Sequence, residues 1–575
     1  RASSGPPIPQ PWEARKAVLT DPILQEFIVD YSAETGVKLR KINREVRSDI
    51  REIASKIRVG AFRIAGQILN VGFDRLLSEI DIDTEGLRLI AECDTRSRVM
   101  IVCGHKSYMD PLILTYGIVR SGFTPPQQAA GINLNIWPLG WVLRRCGGFF
   151  MRRRFFDQPV YREAFNAYVR ELLSSNYITA FYIEGTRSRD GKMRKPKTGL
   201  VKVLDDAVQY GACDAITVFP LYLGYDRVPE EGAHVKEMMG GHKIEESWGV
   251  FKRLYRNVTT TLGRAYMRFG PPLDFRTAVS EHGVDAAADL ICGKIDEATV
   301  VTARSLASAA LLSSGRGTVP EGEFREASDM LLEICRELWL PLAPDADREG
   351  VAGAVNRLVS EERVAVERDG DGLDLFRVEG DMRRFLEYNK NILLAHLLGP
   401  ALAALAGSAG EEFAGSLAFL MDLFAEEFTF GPGFEERLNP PGDPAGAELL
   451  CTLLDSFLEG YLVTCDAVGS VVGGWEIERD EMVRRCFAHG LAMTRSEEGG
   501  GPLEAAPAAP AVRRRESLSR IIFENALKRF SAMGLLVSAT EAGQGGRRRT
   551  VLARGDRFDE LGDVKERIAS FLRRD

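Results

Sequence analysis

His105 and Asp110 stand five positions apart in Gly104-His105-Lys106-Ser107-Tyr108-Met109-Asp110. An imidazole whose Nδ1–H is held by a carboxylate presents Nε2 as a general base for a hydroxyl. A second cluster, Glu184-Gly185-Thr186-Arg187-Ser188-Arg189, places two guanidinium groups on an acidic, glycine-containing turn. Forked Arg donors suit a phosphate, each charge-assisted bond being worth roughly 1.5–3 kcal/mol. Together the clusters suggest base-assisted transfer of a group onto the hydroxyl of a phosphorylated substrate. Each has a plain alternative. Asp110 also suits a helix start beside a histidine that is there by chance, and Arg187/Arg189 also suit an exposed basic loop. Ser107 lacks the GxSxG turn of a nucleophilic serine and reads as a loop hydroxyl.

These residues sit where alternating apolar runs and helical stretches would put ligands. From about Arg96 to Phe275 the pattern is α/β. Strands are expected at Val99–Cys103, Gly148–Met151, Tyr177–Ile183, Ala215–Leu223 (broken by Pro220) and Thr259–Phe269. His105 and Glu184 then follow strand ends, the carboxyl edge at which open sheets bind ligands. Asp110-Pro111 opens a helix, with Pro in its first turn. Gly147-Gly148-Phe149-Phe150-Met151-Arg152-Arg153-Arg154 ends in three arginines that cannot share one face of a strand.

The 575-residue chain is long enough to divide into several cores. Expected are a disordered Pro-rich start (1–20), an N-terminal helical region (21–95), the α/β domain (96–296), a mostly helical domain with a β-hairpin around Asp369–Gly372 (297–496), a Gly/Pro/Ala-rich linker (497–512) and a small C-terminal α/β module (513–575). Ile42, Val46, Ile50, Ile53 and Ile57 form one apolar stripe on a basic helix, fit either for packing on the next domain or for lying on anionic lipid.

With 74 Lys/Arg against 82 Asp/Glu, the chain carries a formal charge of −8, which argues against a nucleic-acid-binding protein. That average hides two basic stretches. Val142–Lys197 holds thirteen Lys/Arg against five Asp/Glu, and Lys38–Arg63 nine against three, implying an anionic substrate, an anionic surface or both. Nine scattered cysteines without a CxxC pair read as reduced cytosolic thiols, and six scattered histidines without HExxH suggest no metal site. The most apolar run, Ile392–Ala406, contains His396 and Pro400 and reads as a buried helix.

Taken in order, four blocks resemble the glycerolipid acyltransferases of the HX4D superfamily: His105…Asp110, Gly147–Arg153, Tyr182–Arg189 and Val218-Phe219-Pro220-Leu221. The arginine-rich second block, Gly224-Tyr225-Asp226-Arg227-Val228-Pro229-Glu230 and the long helical C-terminal half are similar to the large bacterial membrane-associated glycerol-3-phosphate O-acyltransferases. Thr186, Tyr182 and Lys106 depart from the commonest residues of the pattern. The resemblance implies a central mixed β-sheet flanked by helices, with His105 and Asp110 catalytic. It implies that Arg153, Arg187 and Arg189 bind phosphate, with Glu184, Gly185, Ser188, Lys197 and Pro220 in support. It further implies glycerol 3-phosphate as acceptor, acyl-CoA or acyl carrier protein as donor, no cofactor, and peripheral attachment to the cytoplasmic face of an anionic cell membrane. Dihydroxyacetone phosphate or lysophosphatidate as acceptor, and a non-enzymatic lipid-binding scaffold, are the competing readings.

Overall fold

A computed structural model of the chain describes residues 11–574 except 58–71, 95, 153, 154, 156, 176, 242–261, 369, 371, 409–411, 472–475, 499–512 and 543–547. It divides into two compact units. The first holds Arg1–Arg187, Pro196–Pro229 and Glu245–Thr299; the second holds Ser188–Lys195, Glu230–Ile244 and Val300–Asp575.

The first unit is built on a mixed eight-stranded sheet. Its strands are β1 (Glu79–Ile82), β2 (Ser97–Cys103), β3 (Gln127–Gly131), β4 (Gly148–Met151), β5 (Thr179–Tyr182), β6 (Ala215–Tyr225), β7 (Arg264–Phe269) and β8 (Leu273–Asp274). The order is β1-β7-β6-β2-β5-β3-β4, with β8 added beside β6. β6, β2, β5, β3 and β4 run parallel, so their carboxyl ends share one edge; β7 turns back antiparallel along β6. The central strands are buried on both faces, which is why β2 reads as an unbroken apolar run rather than an alternating one.

Pro220 does not break its strand. β6 runs unbroken from Ala215 to Tyr225 because Pro220 falls where its antiparallel neighbour changes. β8 pairs with Thr217 and Val218, and pairing with β7 starts only at Leu221, so the absent N–H removes no bond from either of these ladders. The Pro220 carbonyl still accepts from Gly270 N at 2.9 Å.

At the N-terminus one expectation is corrected and one open alternative is resolved. Pro11–Leu19 is a helix with Pro in its first turn, not a disordered tail; residues 1–10 lie outside the described residues. The isoleucine stripe of the helix Leu39–Ile53 is core, not a lipid face. Ile42, Val46 and Ile53 are fully buried, and the stripe packs toward the helix Pro159–Ser174. Burying an Ile or Val side chain is worth about 1.5–3 kcal/mol, which a bilayer could supply only by unpacking this helix. Its far end is tied down by Arg144, whose guanidinium donates to the carbonyls of Ala54, at 2.7 Å, and Glu52.

The second unit is mostly helical, centred on Met382–Ser408 and Asp455–Gly469. Met382–Ser408 is long and apolar enough to cross a membrane, yet 83% of its most apolar stretch is buried inside the protein. It continues through Pro400. The expected hairpin is present as β10 (Ala365–Arg368) and β11 (Asp374–Arg377), extended by β9 (Thr318–Pro320). A second sheet joins β12 (Glu476–Glu478), β13 (Leu536–Ala542) and β14 (Arg548–Arg554) in the order β12-β14-β13. Because β12 precedes the Gly/Pro/Ala-rich stretch and pairs with β14 beyond it, residues 513–575 do not stand apart as a separate module. Of that stretch, 499–512 lie outside the described residues.

Candidate active site

The register of the parallel sheet brings the two motifs together. Cys103 of β2 is paired with Tyr182 of β5, so His105 and Glu184, each two residues further on, leave the sheet side by side. Glu184, 2% exposed, uses Oε1 to accept the backbone N–H of His105 at 2.6 Å. Its carboxylate therefore braces the histidine loop rather than offering a second base. Tyr182 packs its ring at a tilt against that of His105, centroids 4.4 Å apart, and burial holds its phenol well above its usual range and hence neutral.

On the other side of β2, Cys103 is paired with Leu221 of β6, and β6 continues four residues further to Tyr225. Its hydroxyl donates to Asp110 Oδ1 at 2.6 Å. Asp110 is fully buried at the start of the helix Asp110–Arg120. Its Oδ2 accepts three bonds: from Lys106 N at 2.7 Å, Ser107 N at 2.9 Å and His105 Nδ1 at 2.8 Å. With the carboxylate as acceptor, Nδ1 carries the proton and Nε2 bears a free lone pair. The imidazole is 18% exposed, enough to meet a substrate while its position is fixed from three sides.

Ser107 is fully buried, and its hydroxyl accepts from Met109 N at 3.1 Å, the loop-bracing role expected of it. Arg187, 9% exposed, lays its guanidinium 3.5 Å over the Tyr108 ring, so the third block contributes a cation to the histidine loop. Gly185 makes that turn possible. Its φ of +65° is left-handed, and a Cβ there would lie 3.0 Å from Lys197 Cγ. Lys197, exposed, returns the chain to the sheet through its N–H to Ile183 O at 2.7 Å.

The paired-arginine turn is not one object. Ser188 and Arg189 belong to the second unit. There Arg189 forms an ion pair with Glu237 at 2.8 Å, and the Ser188 hydroxyl faces Asp190 Oδ1 at 3.4 Å. Arg153 lies outside the described residues. Its neighbour Arg152 is engaged with Glu52 at 2.7 Å and Asp49 at 3.1 Å, cross-linking the end of β4 to the helix Leu39–Ile53. Tyr225, Tyr108 and the bracing role of Glu184 were not legible as site functions. Their signal is register: two residues past a paired position on one strand, four on the other.

Two family models match the chain: "Acyltransferase" over residues 82–224 and "Glycerol-3-phosphate acyltransferase C-terminal region" over residues 234–440. The second of these models is specific to glycerol-3-phosphate acyltransferases, and the chain is similar to that family over residues 234–440. Among curated proteins it is 28% identical over 427 residues to the glycerol-3-phosphate acyltransferase of Pasteurella multocida (strain Pm70), covering 70% of this chain and 52% of that protein. It is 28% identical over 428 residues to the protein of the same name from Actinobacillus succinogenes, again covering 70% and 52%. The chain thus spans about half the length of these relatives. His105, Asp110, Glu184 and Arg187 fall within the first match, and Tyr225 one residue beyond it.

Proposed function

We propose that this protein is a sn-glycerol-3-phosphate 1-O-acyltransferase that moves a fatty acyl group from acyl-CoA or acyl carrier protein to glycerol 3-phosphate, giving lysophosphatidate. The observation that carries the reading is the buried Asp110 carboxylate holding His105 Nδ1 at 2.8 Å and leaving Nε2 at the carboxyl edge of the sheet. Nε2 takes the proton from the C1 hydroxyl as that oxygen attacks the thioester carbonyl. The tetrahedral intermediate collapses, the C–S bond breaks, and the imidazolium returns its proton to the thiolate. Arg187, stacked beside the histidine loop, is the residue we assign first to the acceptor phosphate. The driving force is that of the thioester.

Because the acyl chain partitions into bilayers, we propose peripheral attachment of the enzyme to an anionic membrane surface on the cytoplasmic face. The test is thiol release from palmitoyl-CoA with glycerol 3-phosphate, dihydroxyacetone phosphate and lysophosphatidate compared as acceptors. The reading requires the highest kcat/KM with glycerol 3-phosphate. A preference for another acceptor transfers the activity to that substrate, and no release with any of them overturns the transferase reading in favour of a binding protein.

A further inference from the structure

In the first unit, exposed large apolar side chains concentrate at one place: Ile136, Trp137, Trp141 and Val142 are 38%, 85%, 52% and 37% exposed. They lie between β3 and the edge strand β4, on the connection that becomes the helix Leu139–Arg145. Trp141 and Arg145 stand one turn apart on that helix, and Trp137 precedes its start. The Arg145 guanidinium lies 3.7 Å over the Trp141 ring.

The surroundings are positive. No Asp or Glu occurs between Asp110 and Asp157. Lys56 follows the helix Leu39–Ile53 and donates its backbone N–H to Arg144 O at 2.8 Å, which brings it to the end of the tryptophan helix. Burial and the charges of Arg15, Arg144 and Arg145 lower its pKa. Among the described residues neither Lys56 nor Arg145 forms an ion pair, and the charges acting on Lys56 are all positive. Two guanidinium nitrogens of Arg15 are buried without a hydrogen-bond partner. An apolar patch with two tryptophans, with Lys56 and Arg145 beside it, matches the interface of a bilayer with anionic headgroups. Position matters as well. The connection leaves the carboxyl edge of β3, where the parallel neighbours β2 and β5 deliver His105 and Glu184, and returns to the amino end of the parallel strand β4, so the patch runs along the flank of the sheet with Trp137 nearer the carboxyl edge and Arg145 nearer the opposite one.

We infer that Ile136, Trp137, Trp141 and Val142, with Arg145 and Lys56 beside them, form the surface that docks this flank of the sheet on an anionic bilayer. The inference rests on the peripheral-membrane part of the function proposed above and names its contact face. It replaces the isoleucine stripe, which is buried.

The experiment uses the full chain, sedimented with vesicles of phosphatidylcholine alone and of phosphatidylcholine mixed with phosphatidylglycerol. Wild type is expected to bind the anionic vesicles with a blue-shifted tryptophan emission. Trp137→Ser/Trp141→Ser should bind at least about tenfold more weakly, and Arg145→Glu should lose the preference for the anionic mixture. Thiol release from a water-soluble short-chain acyl-CoA, measured without vesicles, should be the same in all three. Unchanged binding by the double variant overturns the surface and leaves the peripheral reading intact. A wild-type chain that binds neither vesicle overturns both. Self-association in solution that the double variant abolishes, without vesicle binding, makes the face a contact between copies and also overturns the inference. The short-chain assay reads the transferase proposal independently of all these outcomes.

Discussion

An imidazole acts as a base only in one tautomer and one orientation, and here both are set by a carboxylate that is itself saturated with donors. Asp110 receives bonds from two backbone N–H groups, His105 and Tyr225. His105→Ala removes the base, and kcat should fall by about 10²–10⁴ with the circular dichroism unchanged; near-normal turnover would remove His105 from the reaction. Tyr225 touches no substrate in this scheme and is a positioning residue. Tyr225→Phe deletes one bond to a buried carboxylate, worth roughly 1.5–3 kcal/mol. If that bond orients the imidazole, kcat should drop about tenfold or more while acceptor KM holds. A purely structural role would instead lower the melting temperature and spare kcat. Arg187→Ala should do the reverse, raising acceptor KM about tenfold or more with a smaller effect on kcat, because a phosphate contact made equally before and during reaction is uniform binding. An unchanged KM would take Arg187 out of phosphate binding.

Elements differ in how openly they declare themselves. β2 and β6 carry long apolar runs and were legible, whereas β3 is Gln-Gln-Ala-Ala-Gly, a composition that no strand propensity would select. It is a strand because β5 and β4 pair with it from both sides. β1 was likewise hidden in a region of helical pattern; it is held by β7, from a part of the chain nearly two hundred residues away. The isoleucine stripe was legible as a stripe, but its amphipathic pattern is the same whether protein or lipid covers it. Its polar side carries a testable charge. Asp49 is 5% exposed, with Oδ2 lacking a hydrogen-bond partner, and burial, opposed by Arg152, pushes its pKa from 3.8 up to about 6. The folded state therefore binds this proton more tightly than the unfolded chain. Its contribution to stability is fully present below about pH 4 and is lost as pH rises through about 6. Asp49→Asn should melt at a higher temperature than wild type above about pH 6, the gap closing toward pH 4. A gap independent of pH would mean that Asp49 does not titrate there.

Across the whole molecule, the pattern that sequence conceals most thoroughly is the division of labour along the chain. A boundary near residue 297 is visible as a change from alternating to helical pattern. That Ser188–Lys195 and Glu230–Ile244 belong to the second unit is not, because their ties are to residues far along the sequence. Gly191, at φ +87°, is packed so closely that a Cβ would lie 2.1 Å from Tyr388 O. Asn391 Nδ2 donates to Asp190 O at 2.9 Å. Lys192, 6% exposed, pairs with the buried carboxylate of Glu427 and with Asp190 at 3.3 Å, its ammonium 4.2 Å from the Phe457 ring. Read as sequence, Lys192 is one more cation in a basic loop ready for an anionic ligand. Read in place, it is neutralised within the second unit, so part of the local positive charge serves the fold. Burying an ion pair is close to break-even, but deleting one partner strands the other charge at a cost of about 3–5 kcal/mol. Lys192→Met should therefore lower the midpoint of urea unfolding sharply, whereas Lys192→Met/Glu427→Leu should recover most of the loss. Equal destabilisation by the single and double variants would show that packing around the Lys192 stem, and not the stranded Glu427 charge, sets the stability of this segment.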